Sequence, residues 1–168
     1  DEKIAEELIH KFSPEGVRRL LDIVAAPSFS PEAIEILSRK KGKCRLLVNK
    51  NIEKAGINSL DTELRHRYVR GGFLLQPNYT FVPEIKNSDI ILAWGVGCTS
   101  NSNTVTLVKD GQLLGNGVGQ QDRVGAANLA ILRAGDKDLT NATAYSDSFF
   151  PFPDAPEVLI NRGVKTIF

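Results

Sequence analysis

Apolar positions at the start of the chain follow helical spacing first and strand spacing next. From Ile4 to Phe12 they recur every three to four residues with Glu and Lys between them, which predicts an amphipathic helix. The Ser-Pro-Glu-Gly stretch at 13–16 is expected to end that helix. The apolar run at 20–26 stops at Pro27 and is too short for a buried helix, so it predicts a strand.

A second helix and a second strand are predicted directly afterwards. Ser30 offers a capping hydroxyl, and Pro31 has a φ angle preset for a first helical turn. The apolar face that follows ends at Lys40-Lys41-Gly42, and residues 44–48 are typical of a strand. These features predict a strand, a loop, a helix and a strand in sequence.

The middle of the chain is less regular. Residues 50–64 are polar and predict a connection, whereas residues 68–76 alternate enough for one strand, bent or bulged at Gly71-Gly72. Residues 89–96 predict a short helix with Ser88 as its cap.

The last third has the clearest local pattern. Residues 104–108 and 113–118 predict a hairpin that turns at Asp110-Gly111, a dipeptide that tolerates positive φ. Gly119 to Asp122 is expected to open a helix, and the remaining residues predict a strand, a short helix and a strand at 143–145, 156–160 and 164–168. Because helices and strands alternate, the fold class expected is an α/β layered domain with a mixed sheet.

Composition narrows the class of protein. The 168 residues suit one domain or a large piece of one, and 42% hydrophobic with 24% charged residues is ordinary for a globular protein in water. Twenty-one Lys and Arg against 20 Asp and Glu give a net charge of +1, so no overall basic field favours nucleic acid or an anionic membrane.

The same counts bear on location and processing. Two cysteines without CxxC spacing predict neither a disulfide framework nor a zinc site, so a cytoplasmic setting is expected. No apolar run approaches the ~20 residues of a spanning helix, and the charged N-terminus is unlike a signal peptide. Because the sequence has no methionine, we expect it to be a piece of a longer product.

The glycine-rich segment at 115–123 runs from a predicted strand into a predicted helix. Its glycines would let the backbone approach a ligand, and the helix N-terminus would offer free N–H groups to an anion or a carbonyl oxygen. It matches neither the dinucleotide fingerprint nor a phosphate loop. A tight exit from the hairpin is an equally good interpretation.

The segment at 147–154 places three phenylalanines and two prolines between two carboxylates. Such a loop would be rigid and could offer ring faces to a flat heterocycle, although a buried aromatic plug is the commoner use of clustered Phe. Asn101 and Asn103 could orient a substrate or cap the turn before the hairpin. His10 and His66 lack partner ligands, so we expect no metal and no catalytic role for them.

Together these motifs resemble the aminoimidazole carboxamide ribonucleotide (AICAR) transformylase part of the bifunctional purine biosynthesis protein PurH family. The segments that carry the resemblance occur in the family's order and cover nearly the whole chain. They are DIVAAPSFSPEAIEIL at 22–37, RGGFLLQ at 70–76, Ser102-Asn103, GNGVGQQDR at 115–123 and SDSFFPFPD at 146–154.

The resemblance implies a cytidine-deaminase-like fold without the deaminase zinc. It also implies a reaction, the transfer of a formyl group from 10-formyltetrahydrofolate to the amine of the purine-precursor ribonucleotide. On the ribonucleotide side, Asp22 and Asn103 would contact the substrate, with Asn103 orienting it, and Phe149 would pack on its imidazole. On the folate side the resemblance assigns Gln120, Arg123, Val124, Phe152 and Asp154.

Several departures from the family pattern bear on activity. The family's proton-transferring Lys-His pair is expected upstream of Asp1, and its basic C-terminal residues beyond Phe168, so we expect a partial domain that is inactive alone. Some family lysines are replaced here, and Pro153 stands where Arg is frequent. The resemblance implies a homodimer. The alternative function is a non-catalytic module derived from the enzyme, for nucleotide or folate binding or for assembly.

Overall fold

The computed structural model describes residues 1–11, 17–38, 43–78 and 80–168. Its internal contacts divide the chain into two compact units, Asp1–Leu60 and Asp61–Phe168. The predicted end of the first helix at 13–16 and the end of the second at 40–42 lie outside the described residues.

The first unit contains the predicted strand, helix and strand after an opening helix. Helix α1 spans Glu2–His10, strand β1 Ile23–Ala26, helix α2 Pro31–Leu37 and strand β2 Arg45–Val48. The two strands are parallel, as expected for strands joined through a helix. As predicted, Ser30 caps α2, its hydroxyl accepting the N–H of Ala33 at 3.3 Å. A small core joins the two helices through Ala5, Ile9, Ala33 and Leu37.

Two short 3₁₀ helices, Lys50–Lys54 and Ile57–Ser59, form most of the predicted connection. The second unit then begins with strands β3, Leu64–Val69, and β4, Gly72–Pro77. These two strands pair antiparallel around Arg70 and Gly71. The prediction of one bent strand here was therefore wrong, because Gly71, with a φ of 87°, lies in a reversing turn.

A four-stranded mixed sheet organises the rest of the second unit. Helix α3 spans Ser88–Gly97, followed by β5, Val105–Lys109, and β6, Gln112–Gly117. Helix α4 spans Arg123–Ala134, followed by β7, Thr143–Ser146, α5, Asp154–Asn161, and β8, Thr166–Ile167. The strand order is β6-β5-β7-β8, antiparallel except for the parallel pair β7 and β8.

Helices cover both faces of this sheet. Val105 and Leu107 of β5 belong to the core that includes Ala126 and Ala130 of α4. Thr106 points to the other face, where α3 packs so closely that a Cβ on Gly97 would lie 2.2 Å from the Tyr145 ring. The expected α/β layered architecture with a mixed sheet is confirmed.

Two local features refine the predicted elements. The 105–117 hairpin turns at Asp110 and Gly111, both with positive φ, as predicted. The side chain of Asp89 at the start of α3 accepts both turn N–H groups, at 2.9 and 2.7 Å. The cap of α3 is Asn87 rather than the predicted Ser88, since the side-chain oxygen of Asn87 accepts from the backbone N–H groups of Asp89 and Ile90.

Among the described residues, no helix has the length and apolar character needed to cross a membrane.

Candidate functional site

Sheet topology brings three loops to one end of the second unit. Val105, at the start of β5, lies opposite Gly117 at the end of β6 and opposite Ser146 at the end of β7. The loop before β5, the loop after β6 and the loop after β7 must therefore meet beside one another. These loops carry Asn103, the start of α4 and the aromatic segment.

A cavity of about 350 Å³ lies between these three loops. Six of the predicted site residues line it, namely Asn103, Arg123, Val124, Phe149, Phe152 and Asp154. Gln121, Asp122 and Pro151 complete the described lining. The Phe149 and Phe152 rings are 78% and 69% exposed, so they are not the buried plug considered as the alternative.

Two predicted residues lie outside the described lining of this cavity. Gln120 lies next to it in sequence, with its side-chain amide donating to the Val118 carbonyl oxygen at 3.0 Å. Asp22 belongs to the first unit, where it is exposed just before β1 and its backbone oxygen accepts from Arg45. Its contact with the ribonucleotide stays a prediction.

Arg123 joins the start of α4 to the aromatic loop. Its Nε donates to the Phe149 carbonyl oxygen at 2.8 Å, and its terminal nitrogen lies 2.7 Å from Oδ1 of Asp147. The Arg123 and Asp147 side chains are 13% and 15% exposed. Because little water reaches this ion pair, its geometry is well defined. It therefore fixes the backbone that carries the Phe149 ring.

Asp147 also holds the loop that carries Asn103. Its Oδ1 accepts the backbone N–H of Thr104 at 2.9 Å. Burial opposes ionisation, but hydrogen bonds from Ser102 and Thr104 and the Arg123 charge outweigh it and lower the pKa of the Asp147 carboxyl. The carboxylate is therefore charged at neutral pH and ties all three loops together.

Asn103 faces the cavity with its amide nitrogen already engaged. Nδ2 donates to the carbonyl oxygens of Gln120 and Gln121, at 2.9 and 3.1 Å. The backbones of Asn103 and Gln120 are also paired, at 3.3 and 3.2 Å. Any orienting contact with a ligand would consequently use the side-chain oxygen of Asn103, which can accept hydrogen bonds.

The negative groups of the cavity lie at helix starts. Asp122 caps α4, accepting the Gly125 N–H at 2.6 Å. Asp154 opens α5 and accepts the N–H of Ala155 at 2.8 Å. Because Asp122 already occupies an N–H group at the α4 N-terminus, the anion-binding role considered for this helix start has less support, whereas both carboxylates can accept from ligand N–H groups.

The first two glycines of the glycine-rich segment allow β6 to pack closely against α4. A Cβ on Gly115 would lie 2.0 Å from the Ala130 carbonyl oxygen, and one on Gly117 would lie 1.9 Å from that of Ala126. This packing accounts for both glycines, so close approach of a ligand is not needed to explain them. Gly119, with a φ of 67°, makes the turn that leads into the cavity.

The organising role of Asp147 and a second cavity beside it were not predicted from the sequence. That cavity, of about 220 Å³, is lined by aromatic and small polar residues, among them Phe81, Trp94, Ser102, Tyr145 and Asp147. Cys98 also lines it, and burial raises the pKa of this thiol, which keeps it protonated. The signal available in the sequence was a carboxylate two residues after the strand predicted at 143–145.

No cluster of three or more His, Cys, Asp or Glu side chains in the described part of the chain is arranged to hold a metal ion.

Comparison with known proteins identifies the family. The family model described as the AICARFT/IMPCHase bienzyme matches residues 1–133. The bifunctional purine biosynthesis protein PurH of Bacillus thuringiensis strain Al Hakam is 39% identical over 178 aligned residues, covering 97% of this chain and 34% of that protein. The PurH protein of Bacillus cytotoxicus is 38% identical over 181 residues, covering 99% of this chain and 32% of that protein.

The chain belongs to the AICARFT/IMPCHase bienzyme family. It spans about a third of the length of the curated relatives it matches.

Proposed function

We propose that this chain forms part of a folate-dependent formyltransferase of purine synthesis. The reaction moves a formyl group from 10-formyltetrahydrofolate to the amine of the aminoimidazole carboxamide ribonucleotide. The proposal includes a cytidine-deaminase-like fold, a cytoplasmic location and a homodimeric larger protein. It is supported by the family to which the chain belongs and by the chemistry of the second unit's cavity.

The observation that carries the proposal is the meeting of six predicted ligand residues in one cavity. They come from loops about 20 residues apart in sequence, yet they line a single space of about 350 Å³. Ligand cavities of this size combine apolar surface with a few polar groups that fix orientation. Here the exposed rings of Phe149 and Phe152 provide the apolar surface.

The polar groups suit two flat, hydrogen-bonding ligands. The side-chain oxygen of Asn103 can accept from a carboxamide N–H, and the Asp154 carboxylate can accept from the N–H groups of a pterin. Phe149 can stack on an imidazole. We therefore place the ribonucleotide's base between Asn103 and Phe149, and the pterin beside Asp154.

Formyl transfer also needs a group that takes the proton from the attacking amine. The ionisable groups of the described lining are Asp122, Arg123 and Asp154, without an imidazole or an amine. The resemblance assigns proton transfer to a Lys-His pair. We therefore propose that the larger protein supplies this pair to the cavity, and that the present chain supplies the ring-binding wall.

Formyl transfer by the protein encoded by the complete gene tests this function. Removing the Phe149 ring by Phe149→Ala should lower kcat/KM by about tenfold or more, the effect of losing one stacked ring. Asn103→Ala should lower it as well, because the carboxamide loses an acceptor and the loop loses two hydrogen bonds.

A matched control is Phe73→Ala, which removes another exposed ring, on β4, outside the cavity. It should leave kcat/KM unchanged. Full activity in both cavity variants would refute the site. Binding of both ligands by a folded protein without any transfer would instead identify the non-catalytic module.

A further inference from the structure

A second polar cleft lies between the β3–β4 hairpin and the loop before β5. It has a volume of about 330 Å³, and its lining from the hairpin includes Arg65, Arg67 and Gln76. The opposite wall is formed by Ser100, Asn101 and Ser102. None of these residues lines the cavity assigned above to the base and the pterin.

Hairpin geometry puts the two guanidinium groups on one face. Residues two apart in a strand point to the same side, with Cβ atoms about 7 Å apart. Arg65 pairs with Gln76 across the hairpin, and directly paired residues share a face, so the Gln76 amide joins the two arginines. Two planar guanidinium groups at this spacing can grip one tetrahedral oxyanion from two sides.

The wall facing the arginines is held rigid by hydrogen bonds. The Asn101 backbone oxygen accepts from the Thr104 hydroxyl at 2.6 Å and from the Gly119 N–H at 2.9 Å. The Ser100 hydroxyl donates to the Val96 carbonyl oxygen at 2.8 Å and accepts from Asn116 at 3.1 Å. Ser102 is hydrogen-bonded to Asp147. The side chain of Asn101 is consequently the donor this wall offers.

The charge of the cleft is one-sided. Among the described residues that line it, none carries a carboxylate, while two carry a permanent positive charge. His66 also lines it, with Nδ1 lying 2.9 Å from the Leu64 carbonyl oxygen. Over the whole chain the net charge is only +1, so this local excess is not part of a general basic surface.

We propose that this cleft binds a phosphate monoester, held by Arg65 and Arg67 and completed by the amides of Gln76 and Asn101. Two cations match a dianion, and guanidinium groups bind phosphate oxygens in pairs. An extended nucleic acid would need a longer basic strip than two arginines. The proposal does not depend on formyl transfer. The monoester can be the 5′-phosphate of the ribonucleotide or that of a separate phosphate ester.

Calorimetric titration of the folded 168-residue chain with inorganic phosphate tests the cleft. Arg67→Gln should weaken phosphate binding by at least about tenfold, since each charge-assisted hydrogen bond contributes that much or more. The matched control is Arg70→Gln, which removes an exposed arginine in the turn of the same hairpin, outside the cleft. It should change the affinity by less than about twofold, because Arg70 lies outside the cleft, where water and salt screen its charge. Far-ultraviolet circular dichroism verifies that both variants fold.

Two results would overturn the proposal. One is that the unaltered chain binds no phosphate at millimolar concentrations, and the other is an equal loss of affinity in both variants. Titrations with the ribonucleotide and with its phosphate-free nucleoside separate the two sources. Ribonucleotide binding weakened by Arg67→Gln, with nucleoside binding unchanged, assigns the cleft to the substrate's own phosphate. Weaker binding of inorganic phosphate alone assigns it to a separate phosphate ester.

Discussion

Asp147 is the residue on which the candidate site depends most. Its carboxylate accepts from Thr104 and pairs with Arg123, whose Nε in turn holds the Phe149 carbonyl oxygen. One side chain therefore connects the Asn103 loop, the start of α4 and the aromatic loop. Because the pair is mostly buried, removing one partner leaves the other charge without water or a counter-charge.

Replacing Asp147 by Asn tests this role through stability. Asp147→Asn keeps the shape and an acceptor for Thr104 but removes the charge facing Arg123. We expect a loss of about 2 kcal/mol in the free energy of unfolding at pH 7, measured by urea denaturation, the usual scale for a hydrogen bond to a charged group. The pair Lys109–Asp138 provides the control, and Asp138→Asn should cost much less, since the Asp138 side chain is 69% exposed to water.

The same comparison has a defined pH dependence. The pKa of Asp147 is lowered in the folded protein from an ordinary value of 3.8, so its stabilising effect is complete above that pH. The effect is lost as the pH falls through the lower folded pKa. The difference between the unaltered chain and Asp147→Asn should therefore shrink below pH 3.8. A difference that stays constant into strong acid would contradict the ion pair.

At the scale of elements, the close packing of β6 on α4 determines the position of one wall of the cavity between the three loops. Gly115 and Gly117 lie two residues apart on one face of β6, against the backbone of Ala126 and Ala130. The small alanines of α4 and the missing side chains of β6 let strand and helix approach closely. This approach sets where the N-terminus of α4, with Arg123 and Val124, meets the other loops.

Gly117→Ala should be strongly destabilising. The added Cβ would lie 1.9 Å from the Ala126 carbonyl oxygen, so α4 would have to move away from the sheet. We expect a loss of about 3 kcal/mol in the free energy of unfolding, measured by urea denaturation, the upper range for overpacking. Gly95→Ala in α3 is the matched control, because nothing lies within 4 Å of the Cβ that this change would add, and alanine favours a helix. Equal effects of the two changes would refute the packing role.

Elements set by local signals could be predicted from the sequence, and those set by partners could not. The 105–117 hairpin was predicted because Asp110-Gly111 determines its turn, and α2 because Ser30 and Pro31 determine its start. The β3–β4 hairpin was read as one strand, since Gly71-Gly72 fits a bulge as well as a turn. Asn87 was missed as a cap because Ser88 beside it is an equally good capping residue type.

At the scale of the whole molecule, the sheet topology determines which residues meet in the site. The resemblance supplied the residue types, but only the pairing of β5 with β6 and β7 explains why 103, 123 and 149 are neighbours. Periodicity gives no strand order, so no pattern in the sequence could place Asp147 between those loops. The role of Asp147 followed from geometry alone. Asp22 lies in the first unit, and its contact with the ribonucleotide stays a prediction.

The most direct test of the proposed site is a crystal structure of the protein encoded by the complete gene, with the ribonucleotide and a stable folate analogue bound. We expect the imidazole against the Phe149 ring, its carboxamide within hydrogen-bonding distance of the Asn103 oxygen, and the pterin beside Asp154. Ligands bound elsewhere, with the cavity between the three loops empty, would contradict it.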